Sequence, residues 1–412
     1  MRISYVGFVI FILTSVSAPS RVSAQSYGIE LHNNMMPASG AMGGASFTRP
    51  QDIQSAINGN PATVRQFNGP TFGFGGALIG PTYNVTQTTD LPLVGVTTYD
   101  GKSDAPASVL GNIGVIHETT FMDLPVSFGL GFITNAGLAV DFRHIDASNG
   151  TQASYVALDT VSSAAIDLTS HLSIGGSVAI GTHIIDGPFV QSSSSQTDYA
   201  TRFTLGANYE LARGTSIGAF WQSEKDLTFD NVVRFATGPL AGVTQDINLQ
   251  HPQNIGFGIA NRCLMNGRLL LAADALYKNW DAADFFRSIY EDQWAFHFGA
   301  QYIFSPRIRL RIGYGFNEDP TRDSVPGTIG GIVPVGGIPS VEYVQGQFAV
   351  ITQHRLTGGI GIRDFIPNMD FDATLGGSFE NTKSFGATDV ELDAYFITFG
   401  FTFHCPNGSC RR

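Results

Sequence analysis

The chain has 412 residues with 48 Gly and 31 Phe, and only 14% of it is charged, against about 25% in an average soluble protein. So little charge implies that much of the surface meets something other than water, and the net charge of −11 excludes a nucleic-acid binder, which needs a basic face. Three Cys are too few for a disulfide framework, the nine His lack metal-ligand spacing and no Ser stands in a nucleophile elbow, so no enzyme activity, cofactor or metal site is expected.

In chain order, Arg2, the apolar run from Tyr5 to Leu13 and the small residues Val22-Ser23-Ala24 have the layout of a secretory signal over residues 1–24. The run is too short for a bilayer, which takes roughly 20 residues, and no later segment is a spanning helix. An exported chain of this kind is periplasmic, secreted or an outer-membrane barrel. Residues 25–68 are turn-rich and small: Ser39-Gly40-Ala41, Gly43-Gly44-Ala45-Ser46, Asp52 to Ala56, then Asn58-Gly59-Asn60-Pro61-Ala62. With little apolar surface of its own, this unit is either a periplasmic extension or a plug folded inside a barrel.

From residue 69 to 404 the pattern changes to period two. Tyr395, Ile397, Phe399, Phe401 and Phe403 share one face, opposite Phe396, Thr398, Gly400, Thr402 and His404; the segments around Phe203 and Phe296 split in the same way. Strict alternation over about ten residues predicts transmembrane β-strands, because a soluble sandwich uses strands of about five or six. About fourteen are expected, near 70–85, 108–118, 126–143, 155–167, 172–186, 199–211, 215–230, 245–260, 268–284, 292–304, 308–317, 353–364, 370–384 and 394–404. Every second connection is tight (168–171, 212–214, 266–267, 305–306, 366–368), which predicts periplasmic turns, while the longer ones (86–107, 187–198, 231–244, 318–352) face outward. The predicted fold is thus all-β, an antiparallel outer-membrane barrel surrounded by lipid, with both termini in the periplasm. Residues 405–412 form a periplasmic tail in which Cys405 and Cys410 are spaced to pair.

The stretch Ala56-Ile57-Asn58-Gly59-Asn60-Pro61-Ala62, followed by Phe67 and Gly69-Pro70-Thr71-Phe72, resembles the hatch of the FadL family of long-chain fatty acid and aromatic hydrocarbon transporters. Phe132-Ile133-Thr134-Asn135-Ala136-Gly137-Leu138-Ala139 is similar to that family's third strand. The resemblance implies a hatch, residues 25–68, inside the lumen and marked by Asn60, Pro61 and Ala62. It also implies a lateral window at Asn135, Ala136 and Gly137, passive uptake of a hydrophobic small molecule, and delivery of the chain by the barrel-assembly machinery. Two features depart from the family: residues 187–198 are short where a long third outer loop is usual, and an eight-residue tail follows the last aromatic strand.

Alternation points Arg202, Glu210, Asp274, Lys278, Arg309, Arg311, Arg355, Arg363 and Asp372 inward, since Arg or Lys facing lipid at mid-membrane costs about 2 to 4 kcal/mol. They either hold the plug through ion pairs or offer a cation to a ligand carboxylate; Arg202, Lys278 and Arg355, in the middle or outer half, are the candidates for the second role. Two outer loops, Leu91 to Val96 and Ile329 to Val344, are apolar enough to bind a ligand or to pack on each other. A general porin with a polar lumen and a structural or adhesive barrel are the competing functions.

Overall fold

The computed structural model describes residues 28–186, 195–212, 214–234, 242–330 and 336–405. The secretory signal and the Cys410 partner of the expected disulfide lie outside the described residues.

Fourteen strands form the wall. They are β1 (Thr71–Gln87), β2 (Ser108–Phe121), β3 (Leu124–Asp141), β4 (Gln152–Asp167), β5 (Leu172–Asp186), β6 (Ser195–Ala212) and β7 (Thr215–Gln222), then β8 (Gln253–Cys263), β9 (Leu269–Asn279), β10 (Gln293–Ile303), β11 (Ile308–Asn317), β12 (His354–Ile366), β13 (Met369–Phe385) and β14 (Thr388–His404). Each pairs antiparallel with the next, and β14 returns to β1 in continuous register from Thr71↔His404 to Gln87↔Thr388. Closure is what lipid demands, because hydrocarbon offers a free N–H or C=O no partner. Phe203, Leu205, Tyr395, Ile397 and Phe399 face outward and exposed, whereas Arg202, Thr204, Phe396 and Thr398 are buried inside.

Inside the ring lies the hatch. Nearly every residue from Gly28 to Val64 is buried, although only one short helix, α1 (Ile53–Asn58), and brief 3-10 turns give it regular structure. Asp52 organises it, accepting Ser55 N at 2.9 Å as the helix cap and Ala38 N and Ser39 N at 3.0 and 2.7 Å.

At the long-loop end the structure departs from the expected strands. The runs at 215–230 and 245–260 each break: β7 stops at Gln222 and β8 starts at Gln253, while Lys225–Arg234 and Thr244–His251 form a separate two-stranded hairpin. The run at 268–284 likewise leaves the wall at Asn279. The hairpin's apolar face (Leu227, Phe229, Ile247, Leu249) packs into a cap with Leu91, Val96, Trp280, Phe286, Ile329 and Phe348. A second helix, α2 (Ile338–Gln347), joins that cap through Val341, Tyr343 and Val344. Most of the apolar loop residues are therefore spent on one another; Leu93 and Ile338 remain exposed, and Ile332, Val333 and Val335 lie outside the described residues.

Candidate functional site

The hatch is seated on small residues of the wall. Asn60 accepts Ala62 N at 3.1 Å and donates its amide to Phe47 O and to Ala207 O of β6, both at 2.9 Å. A Cβ at Gly206 would lie 2.1 Å from Asn60 Oδ1, and one at Gly175 would lie 2.6 Å from Ala62 N, so the Asn60-Pro61-Ala62 turn rests directly on bare backbone. Asp274 of β9 accepts Ser46 N and Phe47 N at 2.6 and 2.9 Å. Arg65 reaches Asp167 at 2.8 Å and Glu118 at 3.2 Å.

One strand leaves the wall. β3 follows β2 from Phe121↔Leu124 only as far as Asn112↔Ile133, yet it stays with β4 to Asp141↔Gln152, with one residue, Asn135, bulged between Thr134 and Ala136. Beyond the bulge both faces of β3 are buried: Thr134, Ala136, Leu138, Ala139 and Val140 are all at 4% exposure or less. Next to the gap, Val109 of β2 is 70% exposed. A bulge adds a residue to one strand, bends it and ends regular pairing.

The groups freed from β2 find other partners, as buried backbone must. Gly28 and Gly137 exchange N–H···O bonds at 3.3 and 3.2 Å, and Leu31 N donates to Asn135 O at 2.8 Å. Thr134 N donates to Asn112 Oδ1 at 3.0 Å, and Thr134 Oγ1 donates to Gly111 O at 3.0 Å. Higher up, Asp104 N donates to Asp141 O at 2.8 Å. Residues 28–31 of the hatch thus stand where β2 would have been, displaced inward. On the lipid side the gap is an apolar notch of about 540 Å³, bordered by Phe74, Val109, Ile113, Phe132, Gly137 and Leu158.

A buried polar cluster fixes the strip behind the notch. Arg202 donates to Glu30 Oε1 and Oε2 at 2.9 and 2.8 Å, His251 Nδ1 lies 2.5 Å from Oε1, and Asn254 donates to Oε2 at 3.0 Å. Burial works to raise the Glu30 pKa, but Arg202 and the His251 hydrogen bond prevail and hold it well below the usual carboxylate range. Burial pushes the His32 imidazole down to about 3, which keeps it neutral at pH 7, and pushes His251 down against the opposing pull of Glu30. Tyr155 bridges His251 to His183. A second cluster surrounds the bulge: Lys225 donates to Asp159 at 2.6 and 2.7 Å, Asn135 donates to Asp159 at 2.5 Å, and Asn135 exchanges bonds with Asn58 of α1 at 3.0 and 3.1 Å.

The structure therefore brings Asn135, Ala136 and Gly137 to the edge of the notch and lays Asn60, Pro61 and Ala62 against β5 and β6. The three candidate cations all meet the hatch: Arg202 holds Glu30, Lys278 donates to Glu30 O at 3.4 Å, and Arg355 donates to Asn34 Oδ1 at 2.6 Å and Gly43 O at 3.0 Å. Sequence reasoning missed Glu30, Asp159, Lys225 and His251. Alternation does order inward residues along a strand, but Glu30 sits in the aperiodic hatch, and Lys225 and His251 fall in runs assigned to the wall. The spaces between hatch and wall beside Glu30 and beside Asn135 are small, about 40 Å³ and about 10 Å³.

The model of the family described as outer membrane protein transport protein (OMPP1/FadL/TodX) matches residues 20–328. No match is found among curated proteins. Among solved structures, the Pseudomonas putida toluene transporter TodX is similar at TM-score 0.62 and 15% identity, over 93% of this chain and 99% of that one. The Ralstonia pickettii toluene transporter TbuX gives TM-score 0.62 at 18% identity, over 90% and 99%. A Pseudomonas aeruginosa FadL homologue gives 0.63 at 13%, over 93% and 99%. At these identities the likeness is one of fold.

Proposed function

The chain belongs to the outer membrane protein transport family (OMPP1/FadL/TodX), whose members are hydrophobic-compound channels of the outer membrane, and from that premise we propose that it admits long-chain fatty acids or aromatic hydrocarbons by passive diffusion and releases them sideways between β2 and β3. The observation that carries this reading is the gap in the wall: an apolar notch on the lipid side, with a non-covalent strip of the hatch behind it. An apolar molecule leaving through the notch keeps about 25 cal/mol for each Å² that never meets water, a gain the periplasmic route would forfeit. Passage requires residues 28–31 to part from Asn135 and Gly137. Arg202, Lys278 and Arg355 would then turn from hatch groups to a ligand carboxylate. A general porin is disfavoured by a lumen whose spaces beside Glu30 and Asn135 are large enough for little more than ordered water.

Uptake of a labelled long-chain fatty acid, an aromatic hydrocarbon and a sugar, in cells with and without the protein, tests the reading. Protein-dependent uptake of either hydrophobic probe but not of the sugar is expected. Protein-dependent entry of the sugar alone would replace this reading with the porin.

A further inference from the structure

At the tight-turn end lies a second cavity of about 540 Å³ whose lining includes Arg49, Arg262, Arg268, Arg309 and Arg363. So dense a cationic patch is unexpected in a chain of net charge −11. The acidic residues that line the cavity, Asp52 and Asp370, are already engaged. Asp52 accepts three backbone N–H groups of the hatch, and Asp370 accepts from Arg363 at 2.8 Å, from Asp364 N at 2.9 Å and lies 3.0 Å from His404.

Behind them, Asp372 is held by Arg311 at 2.6 Å and Arg363 at 3.3 Å, and Glu210 is shared by Arg49 at 3.7 Å and Arg262 at 3.9 Å. Arg268 donates to the carbonyl oxygens of Ile303 and Phe304 and lies over the Tyr302 ring, contacts that engage it without cancelling its charge, and among the described residues it has no carboxylate partner. Arg309 has no hydrogen-bond or ion-pair partner among the described residues, although its Nη1 is buried. A buried guanidinium N–H without an acceptor costs more than an ordinary unmade hydrogen bond, and an oxyanion in the cavity would supply the acceptor.

The walls of the cavity narrow the choice of ligand. Leu270, Gln301 and Thr402 lie on the inward faces of β9, β10 and β14, so the cavity is inside the ring and lipid headgroups outside it do not reach it. Guanidinium forks match the paired oxygens of phosphate and carboxylate. The cationic groups come from two bodies: Arg49 belongs to the hatch, and Arg268 and Arg309 to the wall.

We propose that this basin binds a small, multiply charged, soluble oxyanion bearing phosphate or carboxylate groups, which bridges Arg49 of the hatch to Arg268 and Arg309 of the barrel and so fastens the hatch from the periplasmic side. This site is independent of hydrocarbon passage, and its test does not measure transport.

Isothermal titration of the purified protein in a zwitterionic detergent, with pyrophosphate and citrate as probes against sodium chloride of equal ionic strength, reads it directly. Saturable binding of at least one probe is expected, and which one binds identifies phosphate or carboxylate as the recognised group. Arg309→Gln and, on an exposed turn where folding is not at issue, Arg268→Gln should each weaken it about tenfold, the size of a lost charge-assisted bond. Arg143→Gln, whose partner Asp141 lies at the opposite end of the barrel, should leave it unchanged. No saturable binding by either probe, or equal affinity in wild type and Arg268→Gln, would overturn the proposal.

Discussion

The two halves of β3 were made by one run of sequence and behave as two materials. From Val126 to Ile133 the strand is paired on both sides, with Phe128, Leu130 and Phe132 exposed to lipid and Ser127, Gly129 and Gly131 turned inward. From Thr134 to Asp141 it keeps one neighbour, buries both faces and takes its other backbone partners from the Asn112 side chain, from the hatch and from residues 103 and 104. The lower half is held by a ladder that no single contact controls. The upper half keeps its ladder with β4, but its other edge is held by a few hydrogen bonds to a segment that is not part of the wall. A membrane barrel can carry such a defect only where protein covers the freed groups, so the hatch completes the wall as well as filling the lumen.

The largest expected effect comes from removing that cover. Deleting residues 25–68 should raise the conductance of polar solutes from background to that of an open porin, and sensitivity to bulky antibiotics with it. Amide exchange should then quicken in Asn135 to Val140 and stay slow in Phe128 to Ile133, because only the upper half loses partners. Unchanged conductance in an assembled barrel would remove the hatch from the account of the wall.

Next in size is Gly137→Val. Gly137 borders the notch and pairs with Gly28, so a β-branched side chain both narrows the opening and crowds the strip behind it. Uptake of a hydrophobic probe should fall about tenfold or more, the effect of adding 1.4 kcal/mol to the barrier, while heat-modifiable migration on a gel shows normal assembly. Full uptake by the assembled variant would mean that the ligand does not leave between β2 and β3.

The difference between the two halves also shows what a sequence can carry. Period two made the ring, its strand number and the inward charges legible, because a lipid-facing strand has no other way to satisfy both its surroundings and its ladder. It failed at the Lys225–His251 hairpin, where the same alternation faces a packed cap instead of lipid. Asn135-Ala136-Gly137 stood out as a Gly within an otherwise regular strand, and the bulge lies there. The partners of that bulge were not legible. Asn58, Asp159 and Lys225 come together only because the hatch folds back into the lumen, and aperiodic segments such as residues 28–47 carry no pattern from which a contact across 221 positions, Glu30 with His251, follows.

The smallest expected effect is that of mild acid on the strip behind the notch. Folding lowers the Glu30 pKa, so its contribution is complete above 4.5 and is lost only as pH falls through the lower folded value; Glu30 therefore does not change between pH 7 and 5. The His32 imidazole does. His32 is pushed from 6.5 to about 3 by burial, with Lys278 and Arg202 adding to the shift against Glu30. A released, hydrated hatch would bind a proton at His32 below pH 6.5 that the seated hatch refuses, so seating weakens by about 1.4 kcal/mol per unit, roughly 2 kcal/mol at pH 5. Amide exchange at Gly28 and Gly137 should accordingly be faster at pH 5 than at pH 7 after correction for intrinsic rates, while that of Phe128 and Leu130 should not change. His32→Gln should remove most of the His32 share. Equal pH sensitivity in that variant, or acid-induced exchange in the lower half as well, would show that the two halves of β3 are not held separately.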